Sequence, residues 1–207
     1  MQRVDPALRR YIEQHILPRY REDDSGHGPD HIAYVMRRSL LFANQFADAD
    51  VNMVYAVAAY HDIGCSIERK NHELLSAQMF MADEEMQRFF TDAQRLTVMQ
   101  AIEDHRASAQ REPRSIYGKI VSSADRSSDA EDFLRRAHAY TLKYEQCETA
   151  QDMIDRAYAH TADKYGSGGY AKHYVKDTEY EQFLAAMRAL LQDRAAFARE
   201  YKRINCI

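Results

Sequence analysis

Apolar residues recur at steps of three and four along most of this chain, with long stretches between glycines and prolines. Ile32, Val35, Met36, Ser39, Ala43 and Phe46 build one apolar face and predict a helix from about Asp30 to Phe46. The next segment, about Val51 to Asp62, is apolar nearly all round through Val54, Ala56, Val57, Ala58 and Ala59, the pattern of a helix at the centre of a core. Gly64 follows where a left-handed helix cap is expected. A short helix is predicted from His72, with Asn71 as its N-cap. Another starts near Thr91, where Thr91 and Gln94 have capping-box spacing and Leu96, Met99 and Ile102 follow. A further helix runs from Ser115 to about Asp125, with Ile116, Ile120 and Ala124 on one side. From about Ala130 to Ile207 the chain reads as two or three long helices. The last carries a stripe of Phe183, Met187, Leu190, Leu191, Phe197 and Tyr201, which is a core-packing pattern. No β-branched alternating run of strand length stands out, so the fold class is all-α.

Composition narrows the picture. At 207 residues the chain makes one generous domain, or a domain with a helical extension. The breakers gather in three loops: Gly26, Gly28 and Pro29; Pro113 and Gly118; Gly166, Gly168 and Gly169. The 28 Lys and Arg against 32 Asp and Glu leave a net charge of −4, which excludes a general nucleic-acid coat, since that needs a basic surface. No apolar run approaches the ~18 residues of a membrane span, and the N-terminus lacks the apolar region of a signal peptide. Cys65, Cys147 and Cys206 are far apart, form no zinc-type pair and fit a reduced, cytoplasmic protein.

The residues capable of chemistry are His27, His31, His61, Asp62, His72, His105 and Asp125. His61 and Asp62 end the most apolar predicted helix. An ionised carboxylate at the buried end of such a helix costs several kcal/mol unless it is paired or bound. A divalent cation resolves this, because imidazole and carboxylate are both its ligands. His31 stands in the first turn of one helix and Asp125 in the last turn of another. Val98, Ile102 and His105 are spaced at i, i+4 and i+7, which puts His105 on the buried face of its helix. Residues from several helices can therefore converge on one point, as they do in metal sites inside helical bundles. His15, His138, His160 and His173 read as surface or packing residues.

The run Ala59-Tyr60-His61-Asp62-Ile63-Gly64 follows His27-Gly28-Pro29-Asp30-His31 and precedes Ala124-Asp125-Arg126. This His…His-Asp…Asp order resembles the metal-binding signature of the HD-domain phosphohydrolase superfamily, and in particular its small stand-alone bacterial members. The resemblance covers about residues 25 to 130. It implies a single HD-type domain spanning 1–207, with an HD core at about 25–130 and a helical extension at about 131–207. It implies His31, His61, Asp62 and Asp125 as ligands of one divalent ion, drawn from Mn, Mg, Fe, Ni and Zn, and leaves a second metal open. The mixed His and carboxylate ligands lean toward a transition metal. Asn71-His72-Glu73-Leu74-Leu75-Ser76 resembles the His-Glu-x-x-Ser stretch of several members, including deoxynucleotide triphosphohydrolases, and implies His72 as an acid or substrate contact. His105 resembles a histidine that binds phosphate or a second metal. The paired histidines and Gly-Tyr-Pro motif of the cyclic-dinucleotide branch are absent, since Asp104 precedes His105, which argues against such substrates.

The activity so implied is hydrolysis of a phosphate ester or anhydride of a small phosphorylated metabolite, a nucleotide first among them, by metal-bound water. Asp62 would hold the metal and orient the water, and His72 would protonate the leaving oxygen. His27, His105, Lys70 and Arg126 are the expected substrate contacts. Arg38, Arg69, Arg114 and Lys119 read as surface charges. Two other readings compete: a non-catalytic metal-containing module that binds a nucleotide or a protein, and an HD-type di-iron oxygenase. No membrane partner is expected, and an oligomer is compatible with the pattern.

Overall fold

A computed structural model describes residues 3–21, 26–109, 111–144 and 147–207. Its regular elements are all helical, with no strand among the described residues, an all-α architecture. No described helix is long and apolar enough to cross a membrane. The residues divide into two compact units, 1–125 with 173–176, and 126–172 with 177–207. The division falls between Asp125 and Arg126, whereas the sequence places one domain with its core ending near 130.

The first unit opens with an element upstream of the helices predicted above. Helix α1 (Pro6–Tyr11) runs on through a π-helical turn, Ile12–Ile16, and a 3-10 turn, Leu17–Arg19. Asp5 caps it by accepting from the backbone N–H groups of Ala7 and Leu8, and Pro6 stands at its first position. Leu8, Ile12 and Ile16 lie at steps of four and are buried, each contributing about 1.5–3 kcal/mol of hydrophobic stabilisation.

Helices α2 (Pro29–Ala43), α3 (Val51–Tyr60), α4 (His72–Ala82), α5 (Asp92–Asp104) and α6 (Ile116–Ala124) complete this unit. Every residue of α3 from Met53 to Tyr60 is buried, and α3 packs against α2, α5 and α6, the central place its apolar pattern requires. Thr91 and Gln94 form the expected capping box at the start of α5. Segment 173–176 also packs on this unit. The Tyr174 N–H donates to Ser123 Oγ at 2.8 Å, and Gln45 exchanges two hydrogen bonds with the Lys176 backbone.

Three local expectations are corrected. Helices α2 and α3 stop at Ala43 and Tyr60, short of Phe46 and Asp62. Asn71 occupies the N-cap position of α4, but its side chain donates to Glu68 Oε1 at 2.6 Å and caps nothing. Gly64 is not left-handed, the one positive-φ glycine among the described residues being Gly26. A Cβ at Gly64 would meet His72 O at 2.9 Å and Ser76 N at 3.0 Å, so Gly64 is needed for close approach to α4 rather than for backbone freedom.

The second unit contains α7 (Ala130–Tyr144), α8 (Ala150–Tyr165), α9 (Thr178–Leu191) and α10 (Arg194–Asn205), four helices where two or three were expected. The long stripe breaks at Asp193, whose side chain caps α10 through Ala195 and Ala196. Phe183, Met187, Phe197 and Tyr201 still share one core, together with Phe133, Leu134 and Ile154.

Candidate metal centre

The chain is extended through Gly28 and enters α2 at Pro29, which sets His31 in the first turn. His61 is the C-cap of α3, and Asp62 follows it. Asp125 is the C-cap of α6, its N–H held by Val121 O at 2.9 Å. One donor atom from each of His31, His61, Asp62 and Asp125 lies within 4.8 Å of the others, so the four expected ligands converge. His31 Nε2 stands 3.1 Å from Asp125 Oδ1 and 3.6 Å from Asp62 Oδ2, and His61 Nε2 stands 3.2 Å from Asp62 Oδ2.

Asp62 uses its two oxygens differently. Oδ2 faces His31 and His61 and accepts from His27 Nδ1 at 2.5 Å. Oδ1 faces His72 Nε2 at 3.2 Å and His105 Nε2 at 3.3 Å. Asp62, His72 and His105 thus form a further group of donors, and His27, Asp62 and Cys65 another.

Backbone carbonyls fix which nitrogen of each ring points inward. His61 Nδ1 donates to Ala58 O at 2.8 Å, His72 Nδ1 to Arg69 O at 3.0 Å, and His105 Nδ1 to Ile102 O at 2.6 Å. Each carbonyl lies three residues back, at a helix end or turn, and Ile102 O also takes the His105 N–H at 3.4 Å. With the N–H committed at Nδ1, a neutral ring presents a bare lone pair at Nε2.

That commitment tests whether a cation belongs here. A neutral His61 ring would turn its Nε2 lone pair toward Asp62 Oδ2, an arrangement in the dry interior that a positive charge between them would relieve. His31 Nε2, His61 Nε2 and Asp62 Oδ1 are all buried without a well-directed hydrogen bond. Two imidazoles and two carboxylates, with His61 and Asp62 buried and His31 and Asp125 partly so, fit a divalent transition metal.

The protonation pattern of the metal-free centre follows from the same contacts. Burial works against charge on His31, but its hydrogen bonds to Asp125 and Asp62 raise its pKa to about 9. A proton there stands where a cation would act. Burial also opposes ionisation of both aspartates. His61 and His27 nevertheless hold Asp62 well below the carboxylate range, and His31 does the same for Asp125. His72 is raised, its burial outweighed by Asp62, whereas burial pushes His105 down.

The Lys70 side chain is exposed, and its carbonyl accepts from Arg106 Nη1 at 2.5 Å. Arg126 belongs to the second unit, buried, with its guanidinium near the Tyr165 and Tyr180 hydroxyls. Arg114 is engaged by Asp104 and Glu103, Lys119 by Glu112, and Arg38 by the Tyr34 hydroxyl. Three neighbours were not singled out from the sequence. Cys65 lies one helical turn beyond His61, a spacing that could have exposed it. Arg106 follows His105 directly and bridges Lys70 O to the Glu73 carboxylate. Tyr20 is 39 residues from the Ala59 carbonyl it binds, and no local spacing signals that contact.

Residues 30–129 match the family model described as the HD domain. Two solved structures are similar. One is a predicted HD superfamily hydrolase from an uncultured Thermotogales bacterium, 24% identical, covering 79% of this chain and 91% of its own, with a TM-score of 0.51. The other is a Lactobacillus plantarum protein, 22% identical, covering 97% of this chain and all of its own, with a TM-score of 0.65. Among curated proteins none matches.

Proposed function

With residues 30–129 an HD domain, we propose that this chain is a metal-dependent phosphohydrolase that cleaves a phosphate ester or anhydride of a small phosphorylated metabolite, a nucleotide in the first instance. The observation that carries this reading is the convergence of one donor atom from each of His31, His61, Asp62 and Asp125 within 4.8 Å of one another, with His61 Nε2 3.2 Å from Asp62 Oδ2 in a buried site. His31, His61, Asp62 and Asp125 would hold one divalent ion. Bound there, such an ion supplies Lewis acidity, polarising a phosphoryl oxygen and making a water acidic enough to attack phosphorus.

The chain's own residues supply the rest. Asp62 Oδ2 binds toward the metal while Oδ1 faces His72 and His105. His72 carries its proton at Nε2 with a raised pKa and can donate it to the leaving oxygen. His105, pushed toward the neutral form with its N–H spent on Ile102 O, accepts at Nε2. It therefore suits a cation or the His72 proton better than the phosphate oxygen expected from the sequence. His27, whose Nδ1 donates to Asp62 at 2.5 Å, remains a proposed substrate contact. Lys70 and Arg126 remain proposed substrate cations. Nucleotides come first because the stretch His72-Glu73-Leu74-Leu75-Ser76 resembles that of deoxynucleotide triphosphohydrolases. The free thiols of Cys65, Cys147 and Cys206 fit the cytoplasm.

The test is elemental analysis of the purified protein beside a phosphatase screen over nucleotides and other phosphate esters, with added Mn²⁺ and with chelator. One transition metal per chain and chelator-sensitive turnover are expected. Metal without turnover on any phosphate compound favours the non-catalytic binding module. Two metals per chain would make His72 and His105 ligands, and bound iron with oxygen-dependent chemistry would favour the oxygenase.

A further inference from the structure

The metal centre depends on where α3 stops, and the sequence of α3 does not by itself explain the stop. In a continued helix the Ala58 and Ala59 carbonyls would accept from the N–H groups of Asp62 and Ile63. Here both are diverted. Ala58 O takes His61 Nδ1 at 2.8 Å, and Ala59 O takes the Tyr20 hydroxyl at 2.8 Å. The Ile63 N–H turns back to Tyr60 O at 3.2 Å, and the Asp62 N–H faces the Tyr20 oxygen. One buried phenol thus donates to a peptide of the last turn, beside the residues that open the turn into His61 and Asp62.

Tyr20 reaches this point from outside the segment matched as an HD domain, residues 30–129. The N-terminal element is fastened along the length of α3. At the helix start the Asp5 N–H donates to Asn52 Oδ1 at 2.8 Å. Farther along, the Tyr11 and Tyr60 hydroxyls both donate to Asp83, at 2.9 and 2.5 Å. Buried Leu8, Ile12 and Ile16 fill the space between. After the 3-10 turn Leu17–Arg19 the backbone becomes extended at Tyr20, which carries the ring to the far end of α3.

We propose that Tyr20 is a positioning residue for the metal centre, its hydroxyl holding the last turn of α3 open so that His61 Nε2 and Asp62 Oδ2 converge on the ion. The proposal rests on the metal reading above. It assigns Tyr20 no contact with metal or substrate and no proton transfer. Removing a partner that orients metal ligands typically costs roughly 10–100-fold in metal affinity.

The test is Mn²⁺ binding to the metal-free full-length protein, by titration calorimetry and by the Mn²⁺ electron paramagnetic resonance spectrum. The unaltered protein is compared with Tyr20→Phe and Tyr11→Phe, well below their thermal midpoints. Tyr20→Phe keeps the ring and loses the hydroxyl. Tyr11→Phe loosens the same N-terminal element at Asp83 without touching the His61–Asp62 turn. Tyr20→Phe should weaken Mn²⁺ binding roughly 10–100-fold and change the spectrum of the bound ion, while Tyr11→Phe leaves both unchanged. Equal affinities for the unaltered protein and Tyr20→Phe overturn the proposal while leaving the metal reading intact. Equal losses in both variants also overturn it, because they would trace the effect to docking of the whole element. No Mn²⁺ binding by the unaltered protein overturns the metal reading and this proposal together. Because the readout is metal affinity, it stands whether or not a phosphate ester is cleaved.

Discussion

The Nε2 atoms of His72 and His105 lie 3.3 Å apart, both facing the same oxygen of Asp62. Two protonated nitrogens cannot share that spacing, and two bare ones gain nothing from it. Burial pushes His105 down, and Asp62 lifts His72 against its own burial, so of the two rings His72 holds a proton the more readily. This asymmetry separates the two histidines, which the sequence does not.

If His72 is the acid, His72→Ala keeps its metal and loses about 10²–10⁴-fold in turnover. Because the His72 pKa is raised, the acid form persists above the ordinary histidine range, and turnover falls on the alkaline side as His72 deprotonates. A pH–rate profile in which the variant retains that alkaline limb would remove His72 from the role.

Asp62→Ala and Asp125→Ala should lose both metal and turnover, each removing one of the two carboxylates that face the histidines of the centre. Elemental analysis after dialysis measures this directly. Full metal occupancy in Asp125→Ala would show that the ion does not depend on that carboxylate.

The metal-free protein should lose stability as pH rises from 6.5 to about 9. The His31 pKa is raised to about 9 by Asp125 and Asp62, so its contribution is complete below the unfolded value of 6.5 and disappears as the folded group deprotonates. The lowered Asp62 and Asp125 act in the opposite sense: their contribution is present above the ordinary carboxylate range and is lost on acidification. Denaturation midpoints of the apoprotein should peak between these limits. His31→Gln should flatten the alkaline fall, and a fall of equal size in that variant would assign it to other groups.

Gly64→Ala should destabilise the protein by about 1–3 kcal/mol, since its Cβ would press on backbone atoms of His72 and Ser76 that cannot swing aside. The clash falls on the first turn of α4, so turnover should drop through misplacement of His72. Urea denaturation and metal content separate the two effects, with metal expected to stay. Ser76→Ala leaves the buried Gly64 N–H without its 2.9 Å acceptor and should cost about 1–3 kcal/mol with the His72 backbone unmoved.

Much of this protein is determined locally. The step-of-three-and-four pattern marks α2, α3, α5 and α6, and Thr91 and Gln94 specify a helix start through contacts only three residues apart. The order and helix placement of His31, His61, Asp62 and Asp125 are enough to bring these four forward as candidate donors, because each lies at a helix end whose buried face the periodicity reveals. Periodicity reports which face is buried, not what is buried against it. The division of labour between the two oxygens of Asp62, the close approach at Gly64, the Arg106 bridge and the reach of Tyr20 to Ala59 arise between segments far apart in the chain. Their distances are set by how α3, α4, α5 and the N-terminal element pack together, so they belong to the tertiary structure alone.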